Sequence, residues 1–395
     1  MHTIRFHGIK LLMICSFVLF GCESASKKTQ NEIIPPTESE ITVNGLTPDE
    51  QAIHDGGREI FFTKFTIDDG LGPFFAEQSC GLCHEGAGRG PGKVLRIGRT
   101  TNGSFDPMAE FGGPTIQFRT ALKDRVPETV PPEAQFVNFR VAPPMWGRGF
   151  IQEIPAETIV ANADPNDANA DGISGRANYI IMSFVDSPTH PELGRHGLKA
   201  QMSRILDFAD NAFLHDLGMT SPMRPYELVN PNARDAKDKK SGVDISHEDV
   251  EKVDFFIRTS DFPPILQETE QVLTGKNLFN EIGCNKCHIP FMTTGASEIS
   301  ALSNKTVFFY SDFLLHDMGQ SLSDGVLDGD AKPQEFKTPT LRGLRFFKDF
   351  LHDGRAKNVD EAIRIHGGEA TTVRNNFIGL TQEERGAIIA FLNSI

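Results

Sequence analysis

The clearest hydrophobic periodicity lies at the end of the chain, where Ile388, Ile389 and Leu392 recur at helical spacing. The segment TQEE (381–384) precedes them and has the residue types of a capping box, which begins a helix. A second capped start, SHED (246–249), leads into the run VEKVDFFIRTS. The pattern therefore predicts two amphipathic helices, one past the middle of the chain and one at its end.

Each predicted helix closes one copy of an internal repeat of ordered landmarks. An opening helix is predicted around GREIF (57–61) in the first copy and around GKNLF (275–279) in the second. The first of these follows TPDE (47–50), a helix start with proline in the first turn. Proline-centred stretches, APPMWG (142–147) and TPTLRG (338–343), come later in each copy. The same plan therefore occurs twice.

Four of the six cysteines lie inside this repeat, in two copies of C-x-x-C-H, SCGLCHEG (79–86) and GCNKCHIP (283–290). A redox dithiol does not need the following histidine, and a four-cysteine zinc site would leave both histidines unused. C-x-x-C-H is the signature of covalent haem attachment, in which two thiols bond the vinyl groups and the histidine ligates the iron. The sequence therefore predicts two c-type haems. Their attachment residues are Cys80, Cys83, His84, Cys284, Cys287 and His288.

An opening helix, a C-x-x-C-H motif, loops and a closing helix follow one another in a cytochrome c domain. We therefore expect a mostly α fold with two cytochrome c-like domains, whose long loops wrap the haems. The prolines of DFPP (261–264) disfavour continued helix and place the domains at 46–262 and 263–395. The first domain is longer because of an insertion at residues 155–245.

The N-terminus has the pattern of an export signal. Basic residues flank an apolar run, Leu11 to Phe20, that is too short to span a bilayer. The run ends LFGC, which resembles a bacterial lipobox and predicts a signal peptide at 1–22 and a lipidated Cys22. The alternative is an ordinary secretory signal that is cut nearby. Residues 23–45 are polar and contain prolines, so they predict a flexible tether. We expect a periplasmic, membrane-anchored lipoprotein.

Charge limits the partners. The 395 residues carry 39 basic and 53 acidic side chains, a formal net charge of −14. An acidic chain without basic runs argues against nucleic acid. Its charge either favours a basic redox partner or is an ordinary solvated surface.

Longer segments resemble a known family. They are LGPFFAEQSCGLCH, FRVAPPMWGRGFIQEIP and DPNDANADGISGRAN in the first half, and YSDFLLHDMG, EFKTPTLRGL, FLHDGRA and EAIRIHGGEA near the C-terminus. Together they look like the di-haem oxidoreductase family of peroxidases, also known as thiol-oxidoreductase-like proteins. That family is related to bacterial di-haem cytochrome c peroxidase and to the methylamine dehydrogenase maturation enzyme. The resemblance covers nearly all of residues 46–395 and implies a haem-dependent oxidoreductase.

A haem that only transfers electrons has both iron faces ligated, whereas oxygen chemistry needs an open face. In the second domain the candidates for a second ligand are Tyr310, His316, Met318, His352 and His366. The resemblance implies His366, because related peroxidases place this ligand at the matching position. A haem closed by His288 and His366 would have a lower potential than a methionine-ligated one. A surface position for His366 and ligation by His316 stay open. His352 and Asp353 are expected to contact the ligands, a propionate or the domain interface.

The first domain gives a different result. No histidine lies between His84 and His190. We therefore expect an open or water-ligated iron at the first haem, and hence the catalytic site. More distant candidates for a ligand there are His196, His215, Met108 and Met145.

Peroxide cleavage also needs a group that moves a proton. Gln152 and Glu153 follow the proline-rich turn of APPMWG, and the resemblance implies an acid-bearing loop at the haem. We expect Glu153 to shuttle the proton and Gln152 to donate a hydrogen bond to the oxidant. The alternative is a solvated pair at a helix start. Trp146, the only tryptophan, is either an electron relay between the haems or a core residue.

A calcium site is predicted in DPNDANADG (164–172), where Asp167, Asn169 and Asp171 alternate before a glycine. Asn178 stands where an EF-hand has its glutamate. The resemblance also implies calcium near the domain interface. An Asn/Asp-rich turn that needs no metal is the alternative.

Together these features predict a peroxidase that reduces hydrogen peroxide with electrons from a small donor, a cytochrome or a cupredoxin-like protein. The electrons would pass through the C-terminal haem. The open alternatives are a di-haem enzyme that oxidises a protein or organic substrate, and an electron carrier with both irons closed. Further expected partners are the membrane, through the N-terminal lipid, and a second copy of the chain, because related peroxidases often dimerise.

Overall fold

Helices and short strands alternate along the chain in the computed structural model, which describes residues 36–37, 40–182, 184, 189–229 and 242–395. The described α-helices are α1 (Pro48–Phe62), α2 (Cys80–Cys83), α3 (Arg148–Gln152), α4 (Ala156–Val160), α5 (Ile205–Leu217), α6 (His247–Arg258), α7 (Glu270–Glu281), α8 (Val359–Ile365), α9 (Thr371–Gly379) and α10 (Gln382–Ser394). The described strands are β1 (Phe74–Phe75), β2 (Lys93–Thr101), β3 (Ser104–Asp106), β4 (Thr115–Ile116), β5 (Arg119–Thr120), β6 (Phe136–Val141), β7 (Tyr179–Ile180), β8 (Glu192–Leu193), β9 (Phe291–Thr293), β10 (Thr306–Phe308), β11 (Leu315–Asp317) and β12 (Glu335–Lys337). The predicted signal peptide and Cys22 lie outside the described residues.

Three helices begin where the capping signals predict. Thr47 forms a capping box with Glu50 at the start of α1, and Thr381 forms one with Glu384 at the start of α10. The side chain of Ser246 caps α6. Each cap satisfies a backbone N–H group that the first helical turn leaves without a partner. Local sequence is therefore sufficient to locate these helices.

The opening and closing helices of each half cross at a glycine. A Cβ atom on Gly57 of α1 would lie 1.9 Å from the carbonyl oxygen of Lys252 in α6. A Cβ atom on Gly275 of α7 would likewise lie 1.9 Å from the carbonyl oxygen of Ala387 in α10. The backbones approach so closely that only glycine fits. This contact explains the glycine at the start of both repeat landmarks.

We expect Gly275→Ala to destabilise the folded protein by about 1–3 kcal/mol or more, the usual cost of overpacking. Helix propensity alone predicts the opposite sign, because alanine is favoured over glycine inside a helix by about 1 kcal/mol. Gly386→Ala in α10 is the matched control, since a Cβ atom there meets nothing within 4 Å. Thermal unfolding should give a lower melting temperature for Gly275→Ala only. Equal stability of Gly275→Ala and the wild type would contradict the close crossing.

The described strands form small antiparallel sheets. The longest strand, β2, pairs with β6 from Lys93 opposite Val141 to Gly98 opposite Phe136. It also pairs with β4 at residues 95–96 and with β3 at residues 99–101. The remaining pairs are β1 with β5, β7 with β8, β9 with β10, and β11 with β12. Strand β6 leads directly into APPMWG, so this sheet positions the proline-rich stretch.

The prediction of a mostly α fold is confirmed in part. Helix is the commoner element among the described residues, but twelve strands accompany the helices. Ten of these strands have only two or three residues, and period-two alternation over so short a stretch does not show in a sequence. The longer strands β2 and β6 were not predicted. No helix in the described ranges is both long and apolar enough to cross a membrane.

Two large apolar clusters hold the described chain together. The first joins Phe61 and Trp146 to residues of the other half, among them Phe309 and Leu314. The second is built from the C-terminal helices and the loops around them. Residues Pro35–Ile395 accordingly form one compact unit. The first cluster extends past the predicted boundary at residue 262, and the division into two domains stays a prediction.

The packed chain begins earlier than predicted. Ile41 and Val43 are buried in the first cluster, and Thr42 pairs with Ser260 as a β-bridge. The tether predicted over residues 23–45 therefore ends before Ile41. Local composition could not reveal this contact, because its partner is more than 200 residues away in the sequence.

Candidate functional site

The first C-x-x-C-H motif lies at the wall of a large cavity. Cys80 and Cys83 are the ends of α2, and His84 follows it directly. All three residues line a cavity with about 1240 Å³ of space free of protein atoms, part of it open to solvent. Phe61 of α1 packs beside the imidazole of His84, with ring centroids 6.1 Å apart. The two thiols and the imidazole of the first motif therefore border one shared space.

The second motif lines a cavity of its own. Cys284, Cys287 and His288 border about 1800 Å³ of space free of protein atoms, again partly open to solvent. His366, which follows α8, lines the same cavity. The structure therefore brings together the two histidines that the resemblance paired.

The two histidines of the second cavity are held in the same way. Nδ1 of His288 lies 2.9 Å from the carbonyl oxygen of Tyr310, and Nδ1 of His366 lies 2.7 Å from that of Ala362. A carbonyl oxygen only accepts, so each ring carries its proton on Nδ1 and leaves a lone pair on Nε2. Burial lowers the pKa of both imidazoles, that of His288 to about 4. Both rings are therefore neutral at pH 7 and suited to ligate iron.

The chemistry of the motifs fits haem better than a redox dithiol or zinc. Burial raises the pKa of Cys80, Cys83 and Cys284 to about 12, whereas a redox dithiol needs a lowered pKa. Within the described ranges, one group of three side chains lies close enough to hold a single ion. It consists of Cys287, Asp312 and His316. Neither motif therefore belongs to a four-ligand zinc site of the described chain.

His316 is engaged at both ring nitrogens. Its Nε2 lies 2.8 Å from a carboxylate oxygen of Asp312, and its Nδ1 lies 2.9 Å from one of Glu369. Burial acts to lower its pKa, but hydrogen bonds to Asp312, Cys287 and Glu369 raise that pKa to about 12. A charged imidazole without a free lone pair cannot ligate iron. The geometry thus argues against His316 as the second ligand.

His352 forms part of the wall of the second cavity. Its ring stacks on Phe336 with centroids 4.4 Å apart, and its carbonyl oxygen accepts from Val141 of β6 at 2.8 Å. Nε2 is enclosed without a hydrogen-bond partner in the described chain, and the Asp353 carboxylate is 3.9 Å away. This position is compatible with the predicted contact across the two halves and with the predicted contacts to the ligands or a propionate.

Helix α5 presents one face to the first cavity. Phe208, Asn211, Ala212 and His215 recur at helical spacing and all line it. Nδ1 of His215 is enclosed and has no hydrogen-bond partner among the described residues. Burial lowers the pKa of His215 to about 3, so the imidazole is neutral at pH 7. The first cavity therefore contains a second histidine, which the sequence indicated only as a distant candidate.

The other distant candidates lie in different places. Met145 lines the first cavity. Met108 is buried in a separate cluster with Ile97 and Ile116. His196 lines neither cavity, although the two residues that follow it line both.

Gln152 and Glu153 do not line either cavity. A carboxylate oxygen of Glu153 accepts from Nη2 of Arg258 at 2.9 Å. The side-chain oxygen of Gln152 accepts from the backbone N–H of Ile205 at 2.8 Å, which satisfies a donor at the start of α5. Both residues thus hold helices in place, and their predicted catalytic roles stay predictions.

Trp146 lies between the two motifs and lines neither of the two described cavities. Its Nε1 donates to the carbonyl oxygen of Gly86 at 3.2 Å, two residues after His84. Its ring stacks on Phe347 with centroids 6.3 Å apart, and Phe347 lines the second cavity. Trp146 is also part of the first core cluster, so both predicted interpretations remain.

The predicted calcium loop is ordered by its own backbone. Asp167 accepts from the N–H groups of Asp171 and Gly172 at 2.9 and 3.1 Å. Asp171 pairs with Lys286 of the second motif at 3.1 Å. These contacts need no metal, and calcium binding by Asp167, Asn169 and Asp171 stays a prediction.

Residues 123–395 match a protein-family model described as "Di-haem oxidoreductase, putative peroxidase". The match contains the second motif, whereas the first motif precedes it.

The chain is also similar to solved structures. A Kuenenia stuttgartiensis hydrazine synthase shares 14% sequence identity with it, and the alignment covers 98% of this chain and 100% of the synthase chain with a TM-score of 0.42. A MauG-like protein associated with microbial copper homeostasis shares 14% sequence identity. Its alignment covers 92% of this chain and 94% of the MauG-like chain, with a TM-score of 0.41. A variant of the diheme peroxidase BthA from Burkholderia thailandensis shares 14% sequence identity. Its alignment covers 87% of this chain and 85% of the BthA chain, with a TM-score of 0.39. No curated protein matches the chain.

Proposed function

Because this chain belongs to the di-haem oxidoreductase family, we propose that it is a peroxidase with one covalently attached c-type haem in each cavity. One observation carries the proposal: each cavity is lined by both thiols and the histidine of one C-x-x-C-H motif. A bound haem supplies one-electron oxidation and reduction. The side chains of the two cavities then decide which haem meets the oxidant.

The two cavities differ in the ligands that they offer. In the second cavity His288 and His366 would both hold the haem iron, and this pair would suit the haem to electron transfer. That cavity would receive electrons from the donor. In the first cavity His84 would hold the haem iron, and this cavity would admit hydrogen peroxide.

His215 is our candidate for the group that moves the proton. Reduction of hydrogen peroxide to two waters consumes two electrons and two protons, and O–O cleavage is faster when a base transfers the proton between the two oxygens. The neutral imidazole keeps one nitrogen lone pair that can accept that proton. Asn211, one turn earlier on the same face of α5, can donate a hydrogen bond to the oxidant.

Trp146 is our candidate for the electron relay. It contacts the loop of the first motif through Gly86 and stacks on Phe347 at the wall of the second cavity. An oxidisable ring at this position shortens the distance that an electron must cross between the cavities.

The cell location and partners are proposed from the sequence alone. The protein would be exported and anchored through Cys22, and a small cytochrome or cupredoxin-like donor would deliver electrons to it. Calcium in the loop at 164–172 and a homodimer are compatible with this proposal.

His215 also supports a second candidate function. If His215 ligates the first haem, both irons are closed and the protein is an electron carrier without peroxidase activity. A carrier contains no high-spin haem, so the spin state of the oxidised holoprotein separates the two functions.

We expect the wild type to retain two haems after denaturation and to reduce hydrogen peroxide with a reduced small cytochrome as donor. The double variants Cys80→Ala/Cys83→Ala and Cys284→Ala/Cys287→Ala should each lose one covalent haem and the turnover. Intact-chain mass spectrometry under denaturing conditions counts the attached haems. Cys15→Ala is the control, because Cys15 lies within the predicted signal peptide and should affect neither haem.

The results separate the parts of the proposal. Release of haem from the denatured wild type would contradict covalent attachment. Two attached haems without any peroxide turnover, and without a spectral response to peroxide, would contradict the peroxidase and leave the electron carrier.

A further inference from the structure

The two cavities share a wall. Pro143, Arg148, Gly197 and Leu198 line both of them. Arg148 is the one charged side chain among these four residues. A single guanidinium of the described chain therefore borders both candidate haem sites.

Arg148 is buried with little to neutralise it. Arg148 is 8% exposed, and its Nε donates to the carbonyl oxygen of Pro144 at 2.8 Å. Among the described residues no carboxylate pairs with it, and Nη1 and Nη2 make no hydrogen bond. Burial lowers the pKa of Arg148 to about 10 without an opposing acid. A buried charge is costly unless it is paired, so the free end of the guanidinium is suited to bind an anion that enters either cavity.

The other buried arginines of the described chain have hydrogen-bond partners for their terminal nitrogens within it. Arg140 pairs with Asp324 and Asp328, each at 2.6 Å. Arg224 pairs with Asp210. Arg342 and Arg195 pair with no described carboxylate but donate to two and three backbone carbonyl oxygens, respectively. Arg148 differs from all four, because its Nη1 and Nη2 make no hydrogen bond with a described residue.

Lys337 adds a second buried cation at the same wall. It is 6% exposed and lines the second cavity, and its backbone N–H donates to the carbonyl oxygen of Leu198 at 2.8 Å. Its Nζ donates to the carbonyl oxygen of Thr338 at 3.2 Å. Burial and then the charge of Arg148 lower the pKa of Lys337 to about 7, while Asp312 acts in the opposite direction.

His196 shows that few acidic side chains lie near the shared wall. It is fully buried, and neither ring nitrogen has a hydrogen-bond partner among the described residues. Burial, followed by the charges of Arg148, Arg195 and Lys337, lowers its pKa well below the usual value. The junction is therefore a buried basic region that opens onto both cavities.

We propose, on the premise that both cavities hold haem, that Arg148 and Lys337 bind haem propionates and that Arg148 is shared by one propionate of each haem. A guanidinium presents a planar fork of donors that can hold two carboxylates, whereas the ammonium of Lys337 serves the second cavity alone. A positive charge beside a haem disfavours its oxidised, more positive state. Arg148 therefore raises the reduction potential of both haems, and Lys337 raises that of the second.

The test is a spectroelectrochemical titration of the holoprotein, in which the two haems are followed separately. At a fixed applied potential, Arg148→Gln should lower the ratio of reduced to oxidised haem roughly tenfold at both sites, which is 59 mV for a one-electron couple. Lys337→Gln should lower it at the second haem only. Arg148→Lys keeps the charge and should stay near the wild type.

Arg342→Gln is the matched control. Arg342 is also 8% exposed, and burial lowers its pKa to about 10, but it lines neither cavity. Its replacement should leave both potentials unchanged. An Arg148→Gln holoprotein with two haems, of which only one or neither shifts, would overturn the shared site. If Arg148→Gln does not fold, an unshifted second haem in Lys337→Gln overturns the proposal that the buried cations of this wall bind propionates. A wild type with fewer than two haems would refute the proposed function itself.

Discussion

Replacing His215 with glutamine should lower peroxide turnover by about 10²–10⁴-fold, the usual contribution of a positioned acid–base group. His215 lies on the face of α5 that lines the first cavity, and its imidazole is neutral at pH 7. Glutamine keeps a hydrogen-bonding side chain of similar length but cannot accept the proton. The donor-side kinetics and the spectrum of the second haem should not change. Stopped-flow measurement of the reaction with peroxide reports the loss directly.

Two further variants make the result specific. His190→Gln is the matched control, because His190 is exposed. Glu153→Gln tests the proton shuttle that the sequence predicted. Glu153 is paired with Arg258 outside both cavities, so we expect its replacement to act on stability more than on turnover. A collapse of turnover in Glu153→Gln with full activity in His215→Gln would support Glu153, the proton shuttle predicted from the sequence. It would contradict our proposal that His215 moves the proton.

The spin state of the first haem distinguishes the two proposed roles of His215, a base and an iron ligand. If it is a base, the first haem is the same in the wild type and in His215→Gln. If it is an axial ligand, the variant gains a high-spin haem and a faster reaction with peroxide. The second result would transfer the role of His215 from proton transfer to closing the site.

The features that depend on residues close together in the sequence were predicted best. The capping boxes at Thr47 and Thr381 begin helices because they satisfy backbone groups three residues away. The C-x-x-C-H motifs line separate cavities because one short turn carries all three side chains. His366 was identified through a resemblance rather than through a local rule, and the structure places it in the second cavity.

Features that depend on tertiary convergence had no such signal. Arg148 lies between the cavities because β6, α3 and the loop at 196–198 meet there, and no pattern in WGRGF indicates this. Glu153 follows a proline-rich turn that points to a cavity, yet Arg258 of α6 binds its carboxylate. One signal was available for Gly57 and Gly275, since a glycine inside an amphipathic helix usually marks a close contact.

The second large effect concerns the potential of the C-terminal haem. We expect His366→Met to raise that potential by an amount on the order of 200 mV, within the span of roughly 0.8 V that axial ligands cover. The thioether stabilises the reduced iron more strongly than an imidazole does. His366 is well placed for the exchange, because its backbone is fixed. Its carbonyl oxygen accepts from Nη1 of Arg374 at 3.0 Å. A Cβ atom on Gly368, two residues later, would lie 2.0 Å from the carbonyl oxygen of Asp317.

His352→Met is the matched control for this experiment, because His352 lines the same cavity and its Nε2 also has no hydrogen-bond partner among the described residues. Only the residue that ligates the iron can change the potential so far, since the two substitutions remove the same group from the same wall. A large shift in His352→Met and none in His366→Met would therefore reassign the ligand. A shift in His366→Met with unchanged peroxide binding would place the electron-transfer haem in the C-terminal half. It would also leave the first cavity as the site where the oxidant reacts.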